Sequence, residues 1–112
     1  MNEIFLAALI FVESSGSDLA RGDRNKALGC LQIHCGVITD VNMHYGTSYK
    51  LSDRRSRKKS KEICMMYLDM WAPDEDFYTL ARIWHGGPRG HKKPETKAYA
   101  KAVLEYMEKH DI

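Results

Sequence analysis

A glutamate at the end of an apolar run is the first residue that could do chemistry. It stands in Val12-Glu13-Ser14-Ser15-Gly16, with Gly29-Cys30-Leu31-Gln32-Ile33 one short loop later. Far downstream comes Ala81-Arg82-Ile83-Trp84-His85-Gly86-Gly87-Pro88-Arg89-Gly90. A carboxyl group pressed into a low-dielectric pocket is harder to ionise, so its pKa rises toward the value a general acid needs near neutral pH. Protonating a leaving sugar oxygen is the main demand of glycoside hydrolysis. The bland alternative for Glu13 is a solvated carboxylate at a helix end, the ordinary place for a Glu.

These segments together resemble the lysozyme superfamily. The resemblance is closest to invertebrate-type lysozymes and to short bacterial and phage lysozyme-like, transglycosylase-like proteins. Glu13-Ser14-Ser15-Gly16 is similar to the family's catalytic Glu-Ser-Gly stretch, and Gly29 to Ile33 to its Gly-x-x-Gln-Ile turn. Tyr67-Leu68, the Leu80 to Gly90 run, Thr96 and Tyr99 are similar to its Tyr-Met…Ala-Arg-x-x-Asn-Gly-Gly-Pro-x-Gly…Thr-x-x-Tyr pattern. The likeness runs in order over nearly the whole chain. It implies one lysozyme-like catalytic domain over residues 1–112, an α+β fold that is mostly helical with a small β-hairpin region.

The resemblance also implies roles. Glu13 would be the general acid, and Asp23 the second carboxylate, as nucleophile or electrostatic stabiliser; Asp18 is the weaker alternative. The loop between Glu13 and Asp23 is about two residues shorter than the family's. A lone acid at Glu13 would instead suit a lytic transglycosylase, in which the substrate's own acetamido group does the second job. Ser15, Gln32 and the backbone around Gly29 are candidates for holding sugar, since a Gln amide both donates and accepts. Tyr45 and Tyr49 could stack on sugar faces, although such rings are more often half-buried packing. His85, Gly86 and Gly87 would line the cleft, His85 standing where the family carries Asn, and Tyr99 would face it. The expected substrate is peptidoglycan, at the β-1,4 bond between N-acetylmuramic acid and N-acetylglucosamine. No cofactor and no metal are implied.

Two rival constellations involve other residues. Cys30, His34 and Cys35, with His44 or Cys64, match no common zinc spacing, and free Cys is usually a small buried hydrophobe. Ser14 or Ser15 lacks the flanks of a nucleophile elbow.

With 112 residues, 44% hydrophobic and 29% charged, the chain is long enough to bury a core. A net charge of +2 does not by itself imply a nucleic-acid partner. Six basic residues nevertheless fall between Arg54 and Lys61. Cations at a helix start oppose the macrodipole, so the run suggests a patch for anionic cell wall or outer membrane, screened beyond roughly 8 Å at physiological salt. A basic binding module without catalysis is the distant alternative; it would bind DNA at low salt and have no need of Glu13. Three cysteines with no disulfide framework suit a reducing compartment. Ile4 to Val12 lacks the flanks of a signal peptide and is too short to span a membrane. The expectation is a monomer made in a bacterial cytoplasm that acts on the cell wall, with phage lysis as the fitting context.

The elements that must position these residues follow from caps and periodicity. Asn2 could cap a helix over roughly 3–14, apolar nearly all round and ended by Gly16. Ser17 to Ala27 is polar and would hold the hairpin. A helix over 36–45 closes at Gly46. Ser52 or Asp53 could cap a helix running to Ala72, with Ile63, Met66, Tyr67, Met70 and Trp71 on one face and Pro73 as the stop. A fourth helix covers 74–84, then a Gly/Pro-rich loop to Pro94. The last helix opens at Pro94 or Glu95 and runs to about His110, with Ala98, Ala102, Val103 and Tyr106 inward.

Overall fold

Helix α1, Glu3–Ser14, carries its apolar residues on nearly every face, and the fold is wrapped around it. Phe5, Leu6, Ala8, Leu9 and Ile10 are buried. In this computed structural model, which describes residues 3–111, the expected Asn2 cap lies outside the described residues. Phe11 departs from the expectation of all-round burial and is 54% exposed. It leans on Tyr106 of the last helix, ring centroids 4.9 Å apart and planes tilted by 30°, so α1 is only partly covered on that side.

The chain then forms a two-strand antiparallel hairpin, β1 (Arg21–Gly22) and β2 (Ala27–Leu28), within the polar segment where a β region was expected. The Lys26 N–H donates to the Asp23 carbonyl at 3.2 Å. Arg24 and Asn25 between them have φ of 58° and 70°. Positive φ at both central residues is the mark of the mirror-image turns that match strand twist. Leu28 bridges to Ile33, which folds the Gly29–Gln32 turn back on the hairpin. At Gly29, φ is 92° and any Cβ would overlap the Arg54 carbonyl, so only glycine lets the two backbones meet there.

Helix α2 (Cys35–Tyr45) closes at Gly46 in the left-handed conformation, φ 70°, as its sequence predicts. The next helix starts later than expected. A short 3-10 turn covers Leu51–Arg55, and α3 (Arg57–Trp71) begins only after Ser56, whose side chain accepts from the Lys59 N–H at 3.2 Å. Asp53 instead closes the 3-10 turn by accepting the Lys50 N–H at 2.8 Å. Its inward face is Ser60, Ile63, Cys64, Tyr67 and Leu68; Trp71, expected inward, is 45% exposed. Helix α4 (Phe77–Gly86) is capped by Asp76, so it too starts later than the predicted Asp74.

Helix α5 (Lys97–His110) follows a 3-10 turn over Pro94–Thr96. The helix turns Ala100 and Val103 into the core, leaves Ala102 and Tyr106 half-buried, and exposes Ala98, which was expected inward. The molecule is thus mostly helical with one small hairpin, with α5 packed on both α1 and α4. No helix among the described residues is long and apolar enough to cross a membrane.

Candidate active site

The last turn of α1 sets Glu13 against a cleft of about 410 Å³. The hairpin contributes Asp23 and Ala27, the following turn Gln32 and Ile33, and the start of α2 His34 and Val37. Trp84 and His85, at the end of α4, form the remaining wall. Glu13 and Asp23 therefore face one space from different elements.

Glu13 is held in the way a general acid requires. Burial raises its pKa from 4.5 to about 7, and hydrogen bonds from Tyr99 and Trp84 pull partly the other way. The Tyr99 hydroxyl donates to Glu13 Oε2 at 2.9 Å. Burial and the neighbouring Glu13 in turn push the Tyr99 hydroxyl well above its ordinary value, so it remains a donor. The fully buried Cys64 thiol lies within reach of the Glu13 charge and is itself pushed well up, chiefly by burial. The ring of His85 stacks on Tyr99, centroids 4.2 Å apart and planes 14° from parallel. Burial pushes the His85 imidazole below its usual range, against a smaller upward pull from Glu95. A neutral imidazole keeps one donor and one acceptor, so like an Asn amide it can both donate and accept, though with fewer sites.

Asp23 is the more solvated partner. Its side chain is 66% exposed, and His34 Nε2 lies 3.1 Å from its Oδ2. Its backbone is left-handed, φ 50°, a conformation Asp tolerates better than most residues. Asp18 is drawn away from the cleft by Arg57, whose Nε donates to it at 3.0 Å.

The other sugar-binding candidates separate. Gln32 reaches the cleft wall, but its amide donates to the carbonyls of Ala20 at 2.9 Å and Gly29 at 3.0 Å. Its Oε1 fills the space a Cβ at Gly22 would need. Gln32 thus clamps the hairpin to the turn. Ser15 is exposed and borders a different groove, with Phe11, Arg57 and Tyr106, because the left-handed turn after α1 carries it away. Tyr45 donates to the Met66 carbonyl at 3.0 Å and lies between α2 and α3, away from Glu13. Tyr49 donates to Glu62 at 2.8 Å and is pushed up to about 12, so its hydroxyl is engaged in packing. The cleft wall ends at His85. Gly87 closes α4 through its N–H on the Ile83 carbonyl, and the Gly86 carbonyl accepts from Lys93 at 2.7 Å, so both glycines shape the turn behind the wall.

The residues of the rival constellations are placed by the same geometry. Ser14 Oγ lies 2.8 Å from the Cys30 carbonyl and 3.0 Å from that of Ile10, tying the helix end to the turn. Among the described residues no three His, Cys, Asp or Glu side chains converge as metal ligands would.

The basic run proves to be mostly scaffold. Arg54 donates to the carbonyls of Leu51 (2.9 Å), Lys26 (3.1 Å) and Ile33 (2.9 Å), bracing the hairpin from behind. Arg57 adds the Gly16 carbonyl to Asp18. Lys59 pairs with Asp53 and Lys61 with Glu3. Only the side chains of Arg55 and Lys58 make no hydrogen bond or ion pair among the described residues. Sequence reasoning missed this bracing role, because a charge run reads the same whether its partners are solvent or distant carbonyls. It also missed His34 as the partner of Asp23. Comparison with family models, curated proteins and solved structures returns no match to this chain.

Proposed function

We propose that this protein is a lysozyme-like muramidase that hydrolyses the β-1,4 bond between N-acetylmuramic acid and N-acetylglucosamine in peptidoglycan. One observation carries the reading: a Glu13 carboxyl with a pKa of about 7 faces Asp23 across a single cleft. Two carboxyl groups in unlike environments, one buried and one open to solvent, are what glycoside hydrolysis needs. The ordered likeness of the sequence motifs to the lysozyme superfamily supports the same reading.

In the proposed reaction Glu13 gives its proton to the glycosidic oxygen as the C1–O bond breaks, and the bond's electron pair leaves with that oxygen. Positive charge grows at the sugar ring, where the Asp23 carboxylate offsets it. Water supplies the new oxygen at C1, and its proton returns to a carboxylate of the pair. Tyr99 orients Glu13, and the Trp84 and His85 wall gives a sugar an apolar surface and a polar edge. A lytic transglycosylase needs only Glu13; the shared cleft with Asp23 favours the hydrolase. Clearing of bacterial walls by the wild type, and its loss in a folded Glu13→Gln variant, is the expected outcome. Equal clearing by both would end the enzyme assignment.

A further inference from the structure

His34 occupies the N-cap position of α2, where Ser, Thr, Asp or Asn would satisfy an open backbone N–H. Its side chain makes no cap hydrogen bond there. The ring points instead across the cleft mouth to Asp23, Nε2 to Oδ2 at 3.1 Å. The backbone on either side of this contact is fixed. Arg54 holds the Ile33 carbonyl at 2.9 Å just before His34, and holds the Lys26 carbonyl of the Asp23 turn with the same terminal nitrogen at 3.1 Å. Asp23 itself sits at a left-handed φ of 50°, followed by two more left-handed residues, so its direction is set by context rather than by its own preference. Oδ2 is engaged by the ring, and Oδ1 has no hydrogen-bond partner among the described residues.

We propose that His34 is a positioning residue that holds the Asp23 carboxylate toward the cleft by its Oδ2 and leaves Oδ1 to face the reacting sugar. The role rests on the muramidase reading and deepens it. A carboxylate that is 66% exposed on a four-residue turn would otherwise swing among rotamers. Tethering one oxygen fixes where the negative charge stands when the ring carbon turns positive, and misplacement on the scale of an ångström can cost a hundredfold in rate. The same contact explains a sequence choice that helix capping does not.

The test is a set of variants measured on soluble peptidoglycan fragments, with folding checked by circular dichroism. His34→Ala should lower kcat by about 10- to 100-fold with KM little changed. His34→Gln, which keeps a donor near the Nε2 position, should recover much of that loss. Asp23→Asn and the Asp23→Asn, His34→Ala double variant should be equally slow, since His34 acts only through Asp23. A full His34→Ala loss imposed again on Asp23→Asn would overturn the proposal, as would wild-type kcat in His34→Ala. In that event a dead Glu13→Gln leaves the muramidase reading standing. A wild type without glycan cleavage would remove both.

Discussion

Replacing Glu13 by Gln should stabilise the protein at alkaline pH while removing its activity. The folded-state pKa of about 7 lies above the ordinary 4.5, so the folded state keeps a proton that the unfolded chain gives up. Below pH 4.5 both states are protonated and Glu13 contributes nothing to the pH dependence. Between 4.5 and 7 stability falls as pH rises, and above 7 the loss is complete. At 1.36 kcal/mol per unit the rise corresponds to about 3 kcal/mol, a large part of the 5–15 kcal/mol typical of a domain. Gln carries no such penalty and still offers an oxygen to Tyr99. Urea unfolding of both proteins at pH 4.5 and pH 8 isolates the term, because every other titrating group is common to the pair. The Gln variant should gain on the wild type by about 2–3 kcal/mol between the two pH values. A gain below about 0.5 kcal/mol, or a relative loss, would refute the argument that Glu13 is buried and poised as an acid.

Activity of the wild type should fall as pH rises through about 7, when Glu13 loses its proton, and Tyr99→Phe should move that limb upward in a pH–rate profile, since the Tyr99 hydrogen bond lowers the Glu13 pKa. Arg54→Met should cost about 1–2 kcal/mol in urea unfolding, because it removes three charge-assisted hydrogen bonds that tie the hairpin to the 3-10 turn, two of them exposed to solvent. Neutralising Arg55 and Lys58 together should weaken adsorption to whole cell walls in a salt-dependent way and leave cleavage of soluble fragments unchanged. Equal loss on both substrates would put that pair in the cleft.

The elements announced by strong local chemistry were legible in the sequence. The apolar run of α1, the Gly46 stop of α2 and the polar segment holding the hairpin are short-range signals, and each lies where it was read. Starts that depend on choosing among several caps were not. Ser52, Asp53 and Ser56 are all competent, and Ser56 prevails because a 3-10 turn consumes the first two. The inward face of α5 was misread at its start because the alanines at 98, 100 and 102 fall on more than one face and carry a weak apolar signal; of the three, Ala100 is the fully buried one. In the site, Glu13, Asp23 and His85 line one cleft although they lie far apart in sequence, whereas Tyr99, expected to face that cleft, is half-buried and reaches it only through its hydrogen bond to Glu13. Ser15 and Tyr45 illustrate the opposite limit: residue type suggests sugar binding, but a left-handed turn or a backbone carbonyl takes each side chain away from the cleft, while Gln32 lines the cleft with its amide already donating to two carbonyls.

Mass analysis of peptidoglycan digested by the purified protein tests the central claim most directly. A two-carboxylate muramidase with Glu13 as acid predicts fragments ending in reducing N-acetylmuramic acid, and none from Glu13→Gln. Anhydro ends would contradict the role given to Asp23, and intact glycan would contradict the assignment of this cleft as a glycosidase site.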